Sequence, residues 1–537
     1  MKLFKYSPYL ACATVFMLVS AGCAKQLDIN TNPNAAVTAN IDPYLVFPGA
    51  LSNTASNINT GYGFLFRWMG FIATAAGVAP STEEESYNIS TTFNTAAFTT
   101  PLDINEDLQF IENVGKTKGQ TFYVGAAKII KALNFARIVD AYNSIPYSQA
   151  LQGLTYITPK YDDPKAIYED LLKQIDTGMV YIKGYDLAAN PNAKTVDIMF
   201  AADKTQWAKF GNTLKLRLLM HQANRADRQD YIKTEMAKIV AEGSGFLETG
   251  KTASVNPGYS QSQPNPYYSS YGFTMAGQDP TSSRANNTLL NFLKIDSDPR
   301  VAYDYKAIAT ALPAGAAEPT PTLDPKNYRG NDYGLATDNS VHKYQTANYV
   351  SRVGGITAAG ASASANTGII KGWDMRAWII TSIESLFLQA EAIQRGYLAG
   401  NAETAYKAAV QESFIWLNVG GSSTTAATQF NTWYTGATGK SYQANVVWTA
   451  ATDKLKLIAY QKYLALVPLD GLETWTDYRR NGNFPVIQLS QSAGRTSLVI
   501  PVRLLYPSTE LSYNLANVPQ TGRLAGSQFT DKIWWMP

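Results

Sequence analysis

Apolar residues return at helical spacing in several separate stretches of this chain, and turn-forming residues fill the intervals. Phe122, Ala126, Ile129, Leu133 and Ala136 recur at spacings of 4, 3, 4 and 3, which sets one apolar stripe on a helix over about residues 119–141. Asp163-Pro164 supplies an N-cap with proline at the first helical position, ahead of Ile167, Leu171 and Ile175. Asp203 and Gln206 form a capping-box pattern before Trp207, Phe210, Leu214, Leu218 and His221. Ile383, Leu386, Phe387, Ala390 and Ile393 predict a further helix stopped by Gly396. The next runs from about Ala402 to Asn418, so the two read as a helical hairpin. A last strong helix over about Thr452–Val467 ends at Pro468.

Helical hairpins spread along a chain point to a tetratricopeptide-like scaffold, here with its pairs separated rather than in tandem. Residues 245–372 are irregular, with Asn-Pro, Asp-Pro, Gly-Gly and an Ala/Ser/Gly run at 358–365. A structureless loop of that length is abnormal in a compact domain, so short strands, turns and ligand-contacting loops are expected there. The predicted fold class is therefore mostly α, with tetratricopeptide-like helix pairs packed against an irregular, loop-rich half containing short strands. One domain over 41–537 is expected, its scaffold at about 41–244 and 373–467, its ligand-bearing region at about 245–372, and a C-terminal irregular segment at 468–537.

The first residues follow a different pattern. A basic start (Lys2, Lys5) precedes an apolar run from Tyr9 to Val19 and then Ser20-Ala21-Gly22-Cys23. This is the layout of a secretory signal over 1–22, and a cysteine placed just after small residues resembles a lipobox, whose thiol takes a diacylglycerol. Ser20 stands where leucine is usual in that motif. Cleavage near Ala21 to give a plain secreted protein is the alternative. The run is too short to span a bilayer, which needs about 20 apolar residues. Residues 23–40, with Asn, Thr and Pro33 and no apolar period, read as a tether. A body beyond the inner membrane, tied to a bilayer only by acyl chains on Cys23, is the expectation.

Charge and composition narrow the function. The formal net charge is +3, and removing Lys2 and Lys5 leaves about +1, which argues against nucleic acid or anionic lipid as a main partner. Charged residues make up only 16% and aromatic residues 12%, with 33 tyrosines, a composition suited to stacking on and hydrogen-bonding neutral polar ligands. With two histidines (His221, His342) and Cys12 in the discarded segment, no metal site and no cofactor are expected. His221 falls on the apolar stripe of its helix and reads as a hydrogen-bonded core histidine, and nothing marks His342 as catalytic. Glu83-Glu84-Glu85 is a carboxylate run of the kind that usually marks a solvated loop, and neither G-x-S-x-G nor H-E-x-x-H occurs, so no catalytic residue is assigned.

Candidate ligand contacts lie in aromatic clusters of irregular segments, where ring faces pack on the C–H face of a sugar and polar neighbours reach its hydroxyls. Tyr267, Tyr268, Tyr271 and Phe273 form the densest cluster, flanked by Asn265 and Gln278. Trp373 with Asp374 and Arg376, and Tyr87 with Asn88, are the other two. For each, a loop aromatic tucked onto its own domain is the competing reading.

A set of short motifs gives these features a context. They are Leu27-Asp28-Ile29-Asn30-Thr31-Asn32-Pro33-Asn34, Asp140-Ala141-Tyr142-Asn143-Ser144-Ile145-Pro146-Tyr147, the helix from Trp207 to Leu219, Asp298-Pro299-Arg300 and Gln389-Ala390-Glu391-Ala392. Leu472-Glu473-Thr474-Trp475-Thr476-Asp477-Tyr478-Arg479-Arg480, Tyr513-Asn514 and Trp534-Trp535 complete the series. In this order they resemble the SusD/RagB outer-membrane nutrient-binding lipoproteins of Bacteroidetes, in particular the second SusD-like branch. The second motif departs at Asn143 and Ser144, where that family has Gly and Asp. The resemblance implies a function without chemistry: capture of a glycan, sometimes a peptide, and delivery to a SusC-like TonB-dependent transporter that the protein closes over like a lid. It also implies an outer-membrane, lipid-anchored protein facing the cell exterior, and places Tyr87 and Asn88 in an N-terminal ligand loop. Acidic residues often follow the lipidated cysteine closely; here the run is Ala24-Lys25-Gln26-Leu27-Asp28, with its first acid at Asp28. Trp207, Trp475, Arg479 and Asp298-Pro299-Arg300 read as architectural. A scaffold or adhesion lipoprotein and a surface glycoside hydrolase remain as alternatives.

Overall fold

A computed structural model describes residues 41–79, 81–273, 278, 280–314, 327–335, 344–355 and 367–537. Cys23, the tether, His342 and the Ala/Ser/Gly run lie outside those residues.

The first part is a succession of helices. They are α1 (Pro43–Thr60), α2 (Gly63–Trp68), α3 (Thr82–Ser86), α4 (Ala96–Lys118), α5 (Thr121–Tyr142), α6 (Pro164–Gly184), α7 (Lys204–His221) and α8 (Gln229–Glu242). The expected stripe at 119–141 is α5, and it is buried on nearly every side because α1, α4, α6 and α7 all pack on it. Asp163 caps α6 by accepting from the Ala166 amide, and Asp203 caps α7 by accepting from Thr205 and Gln206. α4 ends at Gly119, whose positive φ of 70° lets its amide reach back to the last turn and the chain reverse into α5. At the α5–α6 crossing Gly125 meets Gly178: a Cβ on Gly125 would stand 2.5 Å from the Gly178 carbonyl oxygen. Absent side chains thus bring the two backbones together.

The second helical part holds α10 (Ser382–Gln394), α11 (Ala402–Leu417), α12 (Ser423–Gly436) and α13 (Lys454–Leu466), following α9 (Asn287–Ile295) in the irregular region. α10 and α11 form the expected hairpin, with Gly396 just past the first helix at a φ of 74°. Among the described residues of 245–372, short strands are present as expected, together with α9, which Asn286 caps. Each sheet is a two-stranded antiparallel pair: β1 (Ile72–Ala73) with β5 (Arg284–Ala285), β2 (Ile145–Pro146) with β3 (Tyr161–Asp162), and β4 (Ala253–Val255) with β6 (Ala377–Ile380). The molecule is mostly helical, as predicted.

One expectation needs correcting. Residues 468–537 are not irregular throughout, because α14 (Gly471–Arg480) opens the segment. Asp470 caps it through the Leu472 and Glu473 amides, and its side chains are almost all buried, so polar residues there hide a helix that is core on every face.

The motifs meet in the interior. Arg217 of α7 makes two 2.5 Å bonds to Glu384 of α10, and Arg480 of α14 makes bonds of 2.7 and 2.6 Å to Glu391. Arg300 and Asp298 pair at 2.6 Å with neither side chain exposed. Arg479 stacks 3.5 Å from the centre of Trp475 and 4.9 Å from that of Trp535, while donating to the carbonyls of Asp140 and Val502. These motifs are architectural, and His221, also buried, is the expected core histidine.

Candidate functional site

Asn265 joins two of the three predicted clusters. Its amide N–H donates to the Trp373 carbonyl at 2.8 Å, and its side-chain nitrogen donates to the Met375 carbonyl at 2.9 Å. Its side-chain oxygen accepts from the Tyr267 and Tyr268 amides, starting the π-helical turn Tyr268–Gly272. The aromatic cluster is therefore tied to the strand entering β6. Tyr267, Tyr268, Tyr271 and Phe273 all turn inward and are buried. The Tyr267 hydroxyl donates to the Pro468 carbonyl at 2.6 Å, and its ring lies 4.9 Å from Trp378 and 4.8 Å from Tyr271. The four rings pack behind the surface rather than on it.

Beside this support the surface opens. A cavity of about 490 Å³ lies between the segment preceding β6, strand β4 and the last turns of α11, with Asp374 and Arg376 on its wall and the half-buried Trp373 next to them in sequence. Trp416, half-buried near the end of α11, gives it an indole, and Trp378 meets that indole edge-on at 5.5 Å. The Lys371 ammonium sits 4.5 Å from the Trp416 ring centre and donates to the Trp416 carbonyl at 2.5 Å. Burial pushes Lys371 down to about 8, against the attraction of Glu412. Burial raises the Glu412 carboxyl, although it accepts from the Ser382 hydroxyl at 2.6 Å and the Gly250 amide at 2.9 Å. An aromatic face, an ammonium, and carboxyl and hydroxyl groups in one concavity of this size can hold a polyhydroxylated ring.

The third cluster sits elsewhere. Tyr87 follows α3 with a φ of 61°, fully buried, its hydroxyl accepting from the Ser490 amide at 3.0 Å. Asn88 is exposed and donates to the Gly494 carbonyl at 3.2 Å. The adjacent glutamates correct another expectation, because Glu84 and Glu85 are buried rather than solvated. Glu84 accepts from the Tyr333 hydroxyl at 3.1 Å and faces Arg67 at 3.4 Å, and burial together with Glu84 pushes the Glu85 carboxyl up to about 7.

Sequence reasoning overlooked Lys371, Glu412 and Trp416. Glu412 and Trp416 stand one turn apart beside the apolar stripe of Tyr406, Val410, Phe414 and Leu417, the carboxylate buried and the indole half-buried. That offset pair was the available signal.

Comparison with known proteins agrees with this architecture. The family model described as "Starch-binding associating with outer membrane", a SusD-like family, matches residues 34–507. The chain belongs to this SusD-like family. No curated protein sequence matches it. Among solved structures, a SusD/RagB family protein from Bacteroides thetaiotaomicron VPI-5482 is 18% identical with a TM-score of 0.68, the match covering 92% of this chain and 99% of that one. A SusD homolog from Bacteroides uniformis ATCC 8492 is 21% identical with a TM-score of 0.69 over 92% and 99% of the two chains. A chitin-binding SusD homolog from Flavobacterium johnsoniae is 22% identical with a TM-score of 0.69 over 91% and 98%. These neighbours share the fold.

Proposed function

We propose that this protein is a nutrient receptor of the outer membrane, lipid-anchored through Cys23, that captures a glycan in the Trp416 cavity and passes it to a SusC-like TonB-dependent transporter. The observation that carries the site is the half-buried Trp416 indole in a concavity walled by Lys371, Asp374 and Glu412. Membership of a family described as starch-binding and associated with the outer membrane supports the ligand class and the location. The chitin-binding relative extends the candidate ligands to amino sugars. Binding is by stacking and hydrogen bonds, with no covalent step. Trp373 offers further aromatic contact from the segment beside the cavity, while Tyr267, Tyr268, Tyr271 and Phe273 hold that segment from behind; Asn88, in the separate Tyr87 loop, is a contact only for a ligand that extends beyond the cavity. Delivery follows when closure over the transporter offers contacts that the open state lacks.

Calorimetric titration of the full-length protein with maltooligosaccharides, chitooligosaccharides, acidic glycans and peptides tests this reading. Saturable binding of one neutral glycan class, without product, is expected. Trp416→Ala should cost it more than about 1 kcal/mol, as loss of a buried aromatic anchor does. Binding that ignores Trp416→Ala, or product formation, overturns the site or the receptor reading respectively.

A further inference from the structure

A second cavity, of about 530 Å³, opens between α4, α5 and α6 and is edged by the loop 147–152. Its walls are polar and carry two lysines, Lys128 and Lys131, and two acids, Glu112 and Asp170, with both lysines drawn to the first acid. Three ammonium groups converge on one carboxylate: Glu112 takes Lys116 at 2.6 Å and Lys128 at 2.8 Å on one oxygen, and Lys131 at 2.7 Å on the other. Lys116 is half-exposed and lies off the cavity wall, whereas Lys128 and Lys131 are nearly buried and line it. Asp170, the other acid on the wall, accepts from the Tyr147 hydroxyl at 2.6 Å and Gln174 at 3.2 Å, and pairs with no lysine among the described residues.

An ammonium has three N–H donors. Lys128 spends one on Glu112 and one on Gln174 at 2.7 Å; Lys131 spends one on Glu112 and one on Gln109 at 2.6 Å. Each keeps one proton, and the two residues stand three apart on the same face of α5. A carboxylate has two oxygens to accept both, and charge-assisted bonds of this kind are the strong ones. Phe135, a turn further along α5, meets Tyr147 edge-on at 4.9 Å and closes the floor with an apolar surface. Side chains of Ser148 and Gln152 add hydroxyl and amide groups at the rim.

We propose that this groove is a second ligand site, independent of the Trp416 cavity, which takes a small acidic sugar with its carboxylate between Lys128 and Lys131. The body's low net charge fits a single recognised acid group rather than a polyanion.

Titration of the full-length protein with D-glucuronate, its uncharged methyl ester, acetate and sulfate tests the proposal. Glucuronate should bind saturably and at least about tenfold more tightly than the ester or acetate, the worth of one charge-assisted bond. Lys128→Gln and Lys131→Gln should each abolish that preference, while Trp416→Ala should leave it intact. Either lysine change disturbs the ion cluster, so Gln152→Trp serves as a second variant, blocking the groove from its exposed rim without touching Glu112. It should remove glucuronate binding and leave the melting temperature unchanged. No saturable glucuronate binding, equal binding of the ester, sulfate binding as tight as glucuronate (a bare anion site), or indifference to Gln152→Trp overturns the proposal.

Discussion

His221 shows how one side chain can tie four elements together. Its Nε2 donates to Glu473 on α14 at 3.0 Å, and its Nδ1 donates to the Tyr168 hydroxyl on α6 at 2.9 Å. Tyr168 in turn donates to Asp140 on α5, whose carboxylate lies 3.6 Å from His221. Burial alone would keep the imidazole neutral, but Glu473 and Asp140 outweigh it and raise His221 from 6.5 to about 9. A raised folded-state value means this stabilisation is complete below about pH 6.5 and is lost as pH climbs through 9. Thermal melts should therefore fall between pH 7 and 10, and His221→Gln should flatten that fall while lowering stability at pH 7 by roughly 1–3 kcal/mol. A wild-type melting temperature unchanged over that range would show the imidazole to be neutral. The histidine's place on an apolar stripe foretold its burial. Its partners were not legible, because Glu473 lies 252 residues away. Tyr267 makes the converse point: a tyrosine suits a core or a ligand surface equally well, and only the Asn265 cap and the Pro468 carbonyl turn it inward.

Among the elements, α5 and α6 were readable because their apolar residues dominate one or more faces. α4 was not, since its buried positions include Asn105, Glu112, Gly115 and Pro101, which break the apolar stripe in composition while keeping its helical spacing. The pairing of Gly125 with Gly178 is a further feature that spacing could not disclose. Gly125→Ala would drive a methyl into the Gly178 carbonyl and to 2.9 Å from Ile182, so α5 and α6 must separate. A loss of about 1–3 kcal/mol is expected, typical of overpacking. Gly184→Ala, at the end of α6 with nothing within 4 Å of its new Cβ, should cost nothing. Equal melting temperatures for the two variants would mean that the crossing can relax freely. The candidate site belongs to this scale as well. Trp416 sits on a helix that the pattern identified, but its cavity exists only because β4 pairs with β6 and carries the segment 371–376 alongside α11.

Over the whole molecule, the interior ion pairs join segments distant in sequence: Arg217 with Glu384, Arg480 with Glu391, Arg137 with Asp470; the family motifs supply both partners of the second and one partner of the first. Removing Glu384 leaves Arg217 only Glu473, at 3.6 Å, as a counter-charge, so Glu384→Gln should cost about 3 kcal/mol and be read as a large drop in melting temperature. Trp416→Ala, which loses only the edge contact with Trp378 and the Lys371 contact, should cost less stability than that while removing glycan binding, which separates scaffold from site. The anchor is separable in the same way. In the proposed receptor, acyl chains on Cys23 hold the body at the membrane through the tether 23–40. Several acyl chains bind a bilayer far more firmly than one, so anchoring should depend on that thiol alone. Cys23→Ala, expressed without a transporter partner, should move from the membrane fraction to the soluble fraction and keep wild-type glycan affinity in calorimetry. A variant that stays wholly with the membrane would show that something other than lipid holds it there. One that is released but binds no glycan would show that the tether and the site are coupled.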